Sequence, residues 1–204
     1  MRRTPRGADH DSVFEIRIHG RGGQGVVTAA ELLSVAAFTE GSYALAVPTF
    51  GSERTGAPVT SFCRIDDRPI RSREPIVEPD ALIVQDPTLL HQLDVFGGAG
   101  GEAYVLINTG RTLEELGLGD LGERFRPERL VTVPASELAR EHLGRPLPNA
   151  ALLGGFAALT DVVSIDAVAG AIRRRFSGAT GEGNVAAALA AYAAVREGSG
   201  VAHA

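Results

Sequence analysis

The sequence predicts a single-domain, three-layer α/β fold, with a mostly parallel sheet, helices on both faces and a helical C-terminal tail. Short apolar runs suited to buried strands alternate with segments of helical periodicity through the first two thirds of the 204 residues. The last third shows helical periodicity alone. Since no linker divides the chain, we expect a flexible arm over residues 1–12, one domain over 13–198 and a flexible tail over 199–204.

The individual elements follow from local patterns. Residues 13–19 alternate apolar and polar side chains before Gly20, which predicts a strand, and residues 24–38 have helical spacing before Gly41. Further strands are predicted at residues 43–47, 59–65, 81–85, 104–107 and 130–133, with a short helix near Leu89. Further helices are predicted at residues 136–143, 149–159, 165–176 and 184–196, with Ser164 and Asn184 as N-caps. The glycine-rich residues 97–101 are expected to be mobile.

Composition excludes several classes of function. The formal charge of −5 argues against nucleic-acid and membrane partners, and no run of residues is apolar enough to cross a bilayer. The chain has no lysine, which excludes a Walker-type or Schiff-base lysine. Its one cysteine, Cys63, cannot supply the about four thiolates of an iron–sulfur cluster. We expect a cytoplasmic protein with no catalytic residue and no metal site of its own.

A glycine loop, residues 20–25, fits the pattern G-x-G-x-x-G between a predicted strand and a predicted helix. Three interpretations stay open: a purely structural turn, a binding element for a phosphate-bearing ligand or a partner, and a dinucleotide site. A dinucleotide site needs an acidic residue about 20 residues further on, where this chain has Val47, Pro48 and Thr49. Arg21 and Gln24 add donors to the loop, which favours an anionic ligand.

A second candidate is the polar stretch of residues 49–58, predicted to leave a strand end beside the glycine loop. Ligands of open α/β sheets bind beyond the carboxyl ends of strands, and Glu53 with Arg54 could hold a carboxylate or a phosphate. A solvated connecting loop is the alternative. The candidate binding residues are Gly20, Arg21, Gly22, Gly23, Gln24, Gly25, Thr49, Glu53 and Arg54.

Several segments carry a resemblance to a known family: GRGGQGVVTAAELLSVAA, VPTFGSERTGAPVTSFCRI and EPDALIVQD, followed by VTVPASELARE and NAALLGGFAAL. Together they resemble the gamma subunit of the pyruvate and related 2-oxoacid:ferredoxin oxidoreductases over residues 13–197. Many members carry two glycines after the arginine, where this chain has Thr55 and Gly56.

The resemblance implies a complex that decarboxylates a 2-oxoacid on thiamine diphosphate with magnesium, sends electrons through iron–sulfur clusters to ferredoxin, and transfers the acyl group to coenzyme A. It implies alpha and beta thiamine-binding subunits and a ferredoxin-like delta subunit or domain as partners. The gamma subunit would contribute assembly and a coenzyme A contact, and bind no cofactor alone. The alternatives are an independent nucleotide-binding oxidoreductase and a pure assembly subunit.

Overall fold

The computed structural model describes residues 13–48 and 55–198, and these form one six-stranded sheet. The strands are β1 (Phe14–Arg21), β2 (Tyr43–Pro48), β3 (Pro58–Asp66), β4 (Ala81–Val84), β5 (Tyr104–Asn108) and β6 (Leu130–Val133). Their order across the sheet is β2-β3-β1-β4-β5-β6. Only β3 opposes its neighbours, so the predicted mostly parallel α/β fold is confirmed.

The six helices are divided unequally between the two faces of the sheet. They are α1 (Val26–Thr39), α2 (Leu121–Arg124), α3 (Ala135–Leu143), α4 (Asn149–Thr160), α5 (Ile165–Arg175) and α6 (Gly178–Arg196). All except α2 share one core with the strand residues Ile16, Ile18, Ile83 and Leu106. The four-residue α2, the 3₁₀ turn Pro87–His91 and loops cover Leu82, Val84, Val105 and Ile107 on the other face.

This division follows from the direction in which the chain moves across the sheet. The connection from β1 through α1 leads to one side, whereas β4, β5 and β6 follow one another toward the other side. Right-handed crossovers that travel in opposite directions lie on opposite faces. The reversal between β1 and β4 therefore creates the switch point at which ligands of open α/β sheets bind.

The C-terminal tail is helical as predicted, but its last helix begins earlier than the sequence pattern indicates. The N-cap prediction is confirmed for Ser164, whose hydroxyl accepts from the N–H of Ala167 at 3.1 Å. It is wrong for Asn184, which lies inside α6 and donates to the carbonyl of Thr180 at 2.8 Å. Gly181 of the first turns packs so closely on the carbonyl of Phe176 that a side chain would collide. Close backbone packing at this helix start thus outweighs the low helix propensity of Gly181.

The glycine-rich residues 97–101, expected to be mobile, are anchored by two arginines. Arg17 donates to the carbonyl of Gly97 at 2.6 Å, and Arg124 donates to the carbonyl of Ala99 at 3.1 Å. Ala99 is itself buried in the smaller core cluster. The flexible arm and tail predicted at the two ends lie outside the described residues. In the described ranges, no helix is long and apolar enough to cross a membrane.

Candidate functional site

The glycine loop connects β1 to α1 at the carboxyl edge of the sheet, directly beside the end of β4. The backbone N–H of Gln85, the residue after β4, donates to the carbonyl of His19 at 2.7 Å. This bond extends the pairing of the two parallel strands to the beginning of the loop. The loop therefore lies at the switch point of the sheet.

The loop is joined by backbone hydrogen bonds to the segment that precedes β3. Gly22 N–H donates to the carbonyl of Ala57 at 2.9 Å, and Gly56 N–H donates to the carbonyl of Gly22 at 3.0 Å. Residues 55–57 thus lie beside the glycine loop, as predicted for that segment. The predicted residues Thr49, Glu53 and Arg54 fall outside the described ranges.

Arg21 holds three loops together rather than presenting its guanidinium to the outside. Its side chain donates to Asp86 at 3.1 Å, to the carbonyl of Gly56 at 3.0 Å, to Thr88 Oγ1 at 2.7 Å and to Gln92 Oε1 at 2.8 Å. Each of its three nitrogens therefore has a protein acceptor. Arg21 acts as a tether in this arrangement.

Gln24 and Asp86 form hydrogen bonds with Arg21 and with each other, and they belong to the same network. Gln24 Oε1 accepts from the N–H of Arg21 at 2.8 Å, and its Nε2 donates to Asp86 Oδ2 at 2.8 Å. Thr88 donates to Asp86 through its N–H at 3.0 Å and its hydroxyl at 2.6 Å. Burial raises the pKa of Asp86, but the hydrogen bonds from Thr88 and Gln24 and the charge of Arg21 outweigh it, so the net shift is downward.

The unused donors of the loop are backbone N–H groups. Gly25 is the N-cap residue of helix α1; it has a left-handed φ of 73° and provides no side-chain cap. The N–H groups of Gly23 and Gly25 donate to no acceptor within residues 13–48 and 55–198. The first turn of a helix adds further unpaired N–H groups and a partial positive charge. The loop can therefore bind an anionic oxygen, while Arg21 and Gln24 fix its shape.

Sequence reasoning missed several polar residues of this edge. Asp86 lies two residues after the buried strand β4, which is a usable signal, since polar side chains at the carboxyl ends of parallel strands face the ligand site. Gln85 is 1% exposed, and its Oε1 and Nε2 have no hydrogen-bond partner among the residues that the structure describes. Asn149 begins α4 and lies against Gly25. Nothing local in the sequence brings Asn149 to a loop more than a hundred residues earlier.

His19, at the end of β1, belongs to the opposite face of the sheet and is bonded to Arg17. Arg17 Nε donates to His19 Nε2 at 3.0 Å, which requires the neutral ring. Burial and the charge of Arg17 lower the pKa of His19 to about 4. The ring is therefore neutral at physiological pH and accepts a hydrogen bond from Arg17.

The donor set of the described residues does not fit a metal or an iron–sulfur cluster. Cys63 is fully buried in β3, and burial raises the pKa of its thiol to about 12. In the part of the chain that the structure describes, no three His, Cys, Asp or Glu side chains group as metal ligands. A thiol that stays protonated and sealed supplies no thiolate ligand.

The fold and the site define the class of open α/β domains that present a glycine-lined helix N-terminus at the switch point of the sheet. Comparison with known families narrows this class. The family model for pyruvate ferredoxin/flavodoxin oxidoreductase matches residues 15–194. The chain therefore belongs to this family, and within it to the gamma-subunit type.

The curated relatives and a solved structure agree on the subunit type. The common subunit gamma of the pyruvate/ketoisovalerate oxidoreductases of Pyrococcus furiosus is 48% identical over 88% of this chain and 96% of its own length. The pyruvate synthase subunit PorC of Methanothermobacter marburgensis is 44% identical over 88% of this chain and 96% of its own length. The crystal structure of the pyruvate oxidoreductase subunit PORC of Thermotoga maritima superposes with a TM-score of 0.74 at 30% identity, covering 89% of this chain and 96% of that one.

Proposed function

We propose that this chain is the gamma subunit of a complex that converts a 2-oxoacid, coenzyme A and oxidised ferredoxin to acyl-coenzyme A, carbon dioxide and reduced ferredoxin. Its partners are alpha and beta subunits that bind thiamine diphosphate and magnesium, and a ferredoxin-like delta subunit or domain that carries iron–sulfur clusters. The decarboxylation and the electron transfer belong to those partners. This chain contributes assembly and contact with coenzyme A.

One observation supports the coenzyme A contact: the glycine loop offers unpaired N–H groups at a helix N-terminus, whereas its neighbouring side chains are engaged with each other. A phosphate group matches such a site, because its oxygens accept several hydrogen bonds and its charge is favoured there. Thr55 lies beside Gly23, and Arg54, which precedes it in the sequence, would add positive charge. The part of this chain is to bind and orient the phosphate end of coenzyme A, and no proton or electron moves through it.

The test is isothermal titration of the assembled complex with coenzyme A, for the wild type and for Arg54→Ala. Loss of a charge-assisted contact is expected to weaken binding by about 10-fold or more. Arg68→Ala is the matched control, since Arg68 is exposed and its ion pair with Asp67 is on a turn after β3. Unchanged affinity for Arg54→Ala would remove Arg54 from the site.

Co-purification with the thiamine-binding and ferredoxin-like partners tests the assembly role separately. A complex that forms and turns over while variants of both loops keep full coenzyme A affinity would identify a pure assembly subunit instead.

A further inference from the structure

Two helix N-termini meet at the glycine loop. Gly25 caps α1, and Asn149 opens α4; a Cβ placed on Gly25 would lie 2.6 Å from Asn149 Nδ2. Only glycine at position 25 therefore allows this approach. Neither helix has a side-chain cap, and neither carries an acidic residue in its first turn. The positive ends of two helices thus adjoin, and neither helix supplies a negative charge to offset them.

The beginning of α4 also contains buried donors that lack acceptors. Ala150 and Ala151 are buried, and their N–H groups reach no acceptor in the described parts of the chain. Asn149 as a whole residue is 6% exposed, and its side-chain amide forms no hydrogen bond to any described residue. Buried polar groups in native proteins are nearly always paired. An anionic oxygen of a bound ligand would satisfy these donors, for which the described residues supply no acceptor.

We infer that Asn149 is a ligand-binding residue, whose side-chain amide acts with the N–H groups of Gly25 and the first turn of α4 to bind a phosphate group. The inference rests on the proposed function, in which that phosphate belongs to coenzyme A. It extends the site from the glycine loop to a second helix, 124 positions along the chain from Gly25.

A phosphate fits this site better than a carbonyl or a cation, because the helix ends carry partial positive charge and the site offers several hydrogen-bond donors. The donors come from two helices, and a phosphate presents several acceptor oxygens at once. The nearest carboxylate on the β4 side, Asp86, is already paired with Arg21 and Gln24, so it leaves the charge of the helix ends in place. Every Arg21 nitrogen already donates to a protein acceptor, whereas the amide of Asn149 has no partner among the described residues.

The experiment measures steady-state kinetics of the assembled complex with coenzyme A, 3′-dephospho-coenzyme A and pantetheine as acyl acceptors. Asn149→Ala removes the donor, and Asn149→Asp keeps the shape but places a carboxylate against the phosphate. The expected KM for coenzyme A rises about 10-fold for Asn149→Ala and about 100-fold for Asn149→Asp, while kcat changes less than about twofold. The KM for pantetheine, which lacks phosphate, stays unchanged. The dephospho compound separates the 3′-phosphate from the pyrophosphate.

Asn184→Ala is the matched control, because Asn184 is equally buried but donates to Thr180 within α6. An unchanged KM for Asn149→Ala, or an equal rise with coenzyme A and pantetheine, would overturn the inference. If Arg54→Ala raises the KM for coenzyme A while both Asn149 variants leave it unchanged, only this inference fails. If none of these variants affects it, the proposed coenzyme A contact fails as well.

A second measurement does not depend on the folding of the variants. Thermal melting of the wild-type complex with inorganic phosphate, coenzyme A or pantetheine is expected to show stabilisation by the first two ligands alone. Phosphate binding would be contradicted if pantetheine stabilised the complex as much as coenzyme A does. It would also be contradicted if inorganic phosphate gave no stabilisation.

Discussion

Asp86→Asn is predicted to detach the glycine loop from β4 and to destabilise the chain. The asparagine keeps the shape and one carbonyl oxygen, which can still accept from Thr88. Its amide nitrogen then faces two other donors, Arg21 Nε and Gln24 Nε2, which lie 3.1 and 2.8 Å from Asp86 Oδ2 in the wild type. Two charge-assisted hydrogen bonds are lost and replaced by contacts between donors.

The magnitude follows from the burial of the partners. A hydrogen bond to a charged group contributes about 1.5–3 kcal/mol, and the two bonds are not additive. The Arg21 side chain is 22% exposed, so water recovers part of its interaction after the change. We expect the free energy of unfolding to fall by about 3 kcal/mol.

Urea unfolding of the full-length chain at neutral pH measures this loss, with Asp67→Asn as the control. Asp67 is exposed and 3.8 Å from Arg68, so its neutralisation is expected to cost less than about 0.5 kcal/mol. Because the folded-state pKa of Asp86 is lowered, its contribution is present above the unfolded pKa and is lost as the pH falls through the folded value. The difference between variant and wild type should therefore shrink in acid. An Asp86→Asn variant as stable as Asp67→Asn would refute the tether.

Three further predictions concern the rest of the fold. Since the pKa of His19 is lowered to about 4, stability should fall as the pH drops from 6.5 toward 4, by on the order of 3 kcal/mol; pH-dependent urea unfolding of His19→Gln should lack this loss. Cys63 should react with a thiol reagent only after unfolding, because its thiol is buried and has a pKa of about 12. If the folded chain were labelled as fast as the chain unfolded in urea, this prediction would be contradicted. Gly154→Ala should destabilise by about 3 kcal/mol, since the added methyl group collides with the carbonyl of Ala188, whereas Gly170→Ala meets open space in α5 and should stabilise by about 0.5–1 kcal/mol; thermal melting compares the two.

The strands were predictable because each is a short apolar run bounded by a turn. β4, the buried run Ala81–Val84, is the plainest case, and its position beside β1 follows from the parallel α/β pattern. The glycine loop was predictable for the same reason, since its spacing has meaning only between a strand and a helix. Thus local patterns identify the elements and the place of the site.

The polar contacts of the site were not predictable, because they join distant parts of the chain. Arg21 looks like an anion-binding residue in the sequence, yet its donors are used by Gly56, Asp86, Thr88 and Gln92. Which acceptors surround an arginine depends on tertiary packing, which no local spacing encodes. The same holds for Asn149, which reaches Gly25 only because α4 packs beside α1.

The predictions for two glycine-rich segments, residues 97–101 and the start of α6, were wrong for a related reason. Glycines at 97–101 suggest mobility by composition, but Arg17 and Arg124 bind their carbonyls from other elements. Glycines at the start of α6 suggest a later helix start, but close packing of Gly181 on Phe176 requires them. In both segments glycine marks a close backbone approach rather than freedom of movement.

The most direct test of the whole account is an activity assay on the chain purified alone and on the chain co-expressed with thiamine-binding and ferredoxin-like partners. We expect no 2-oxoacid turnover and no bound coloured cofactor for the lone chain, and coenzyme A-dependent ferredoxin reduction that requires this chain in the assembled complex. Turnover of a 2-oxoacid by the lone chain, or full activity of the partners without it, would contradict the account.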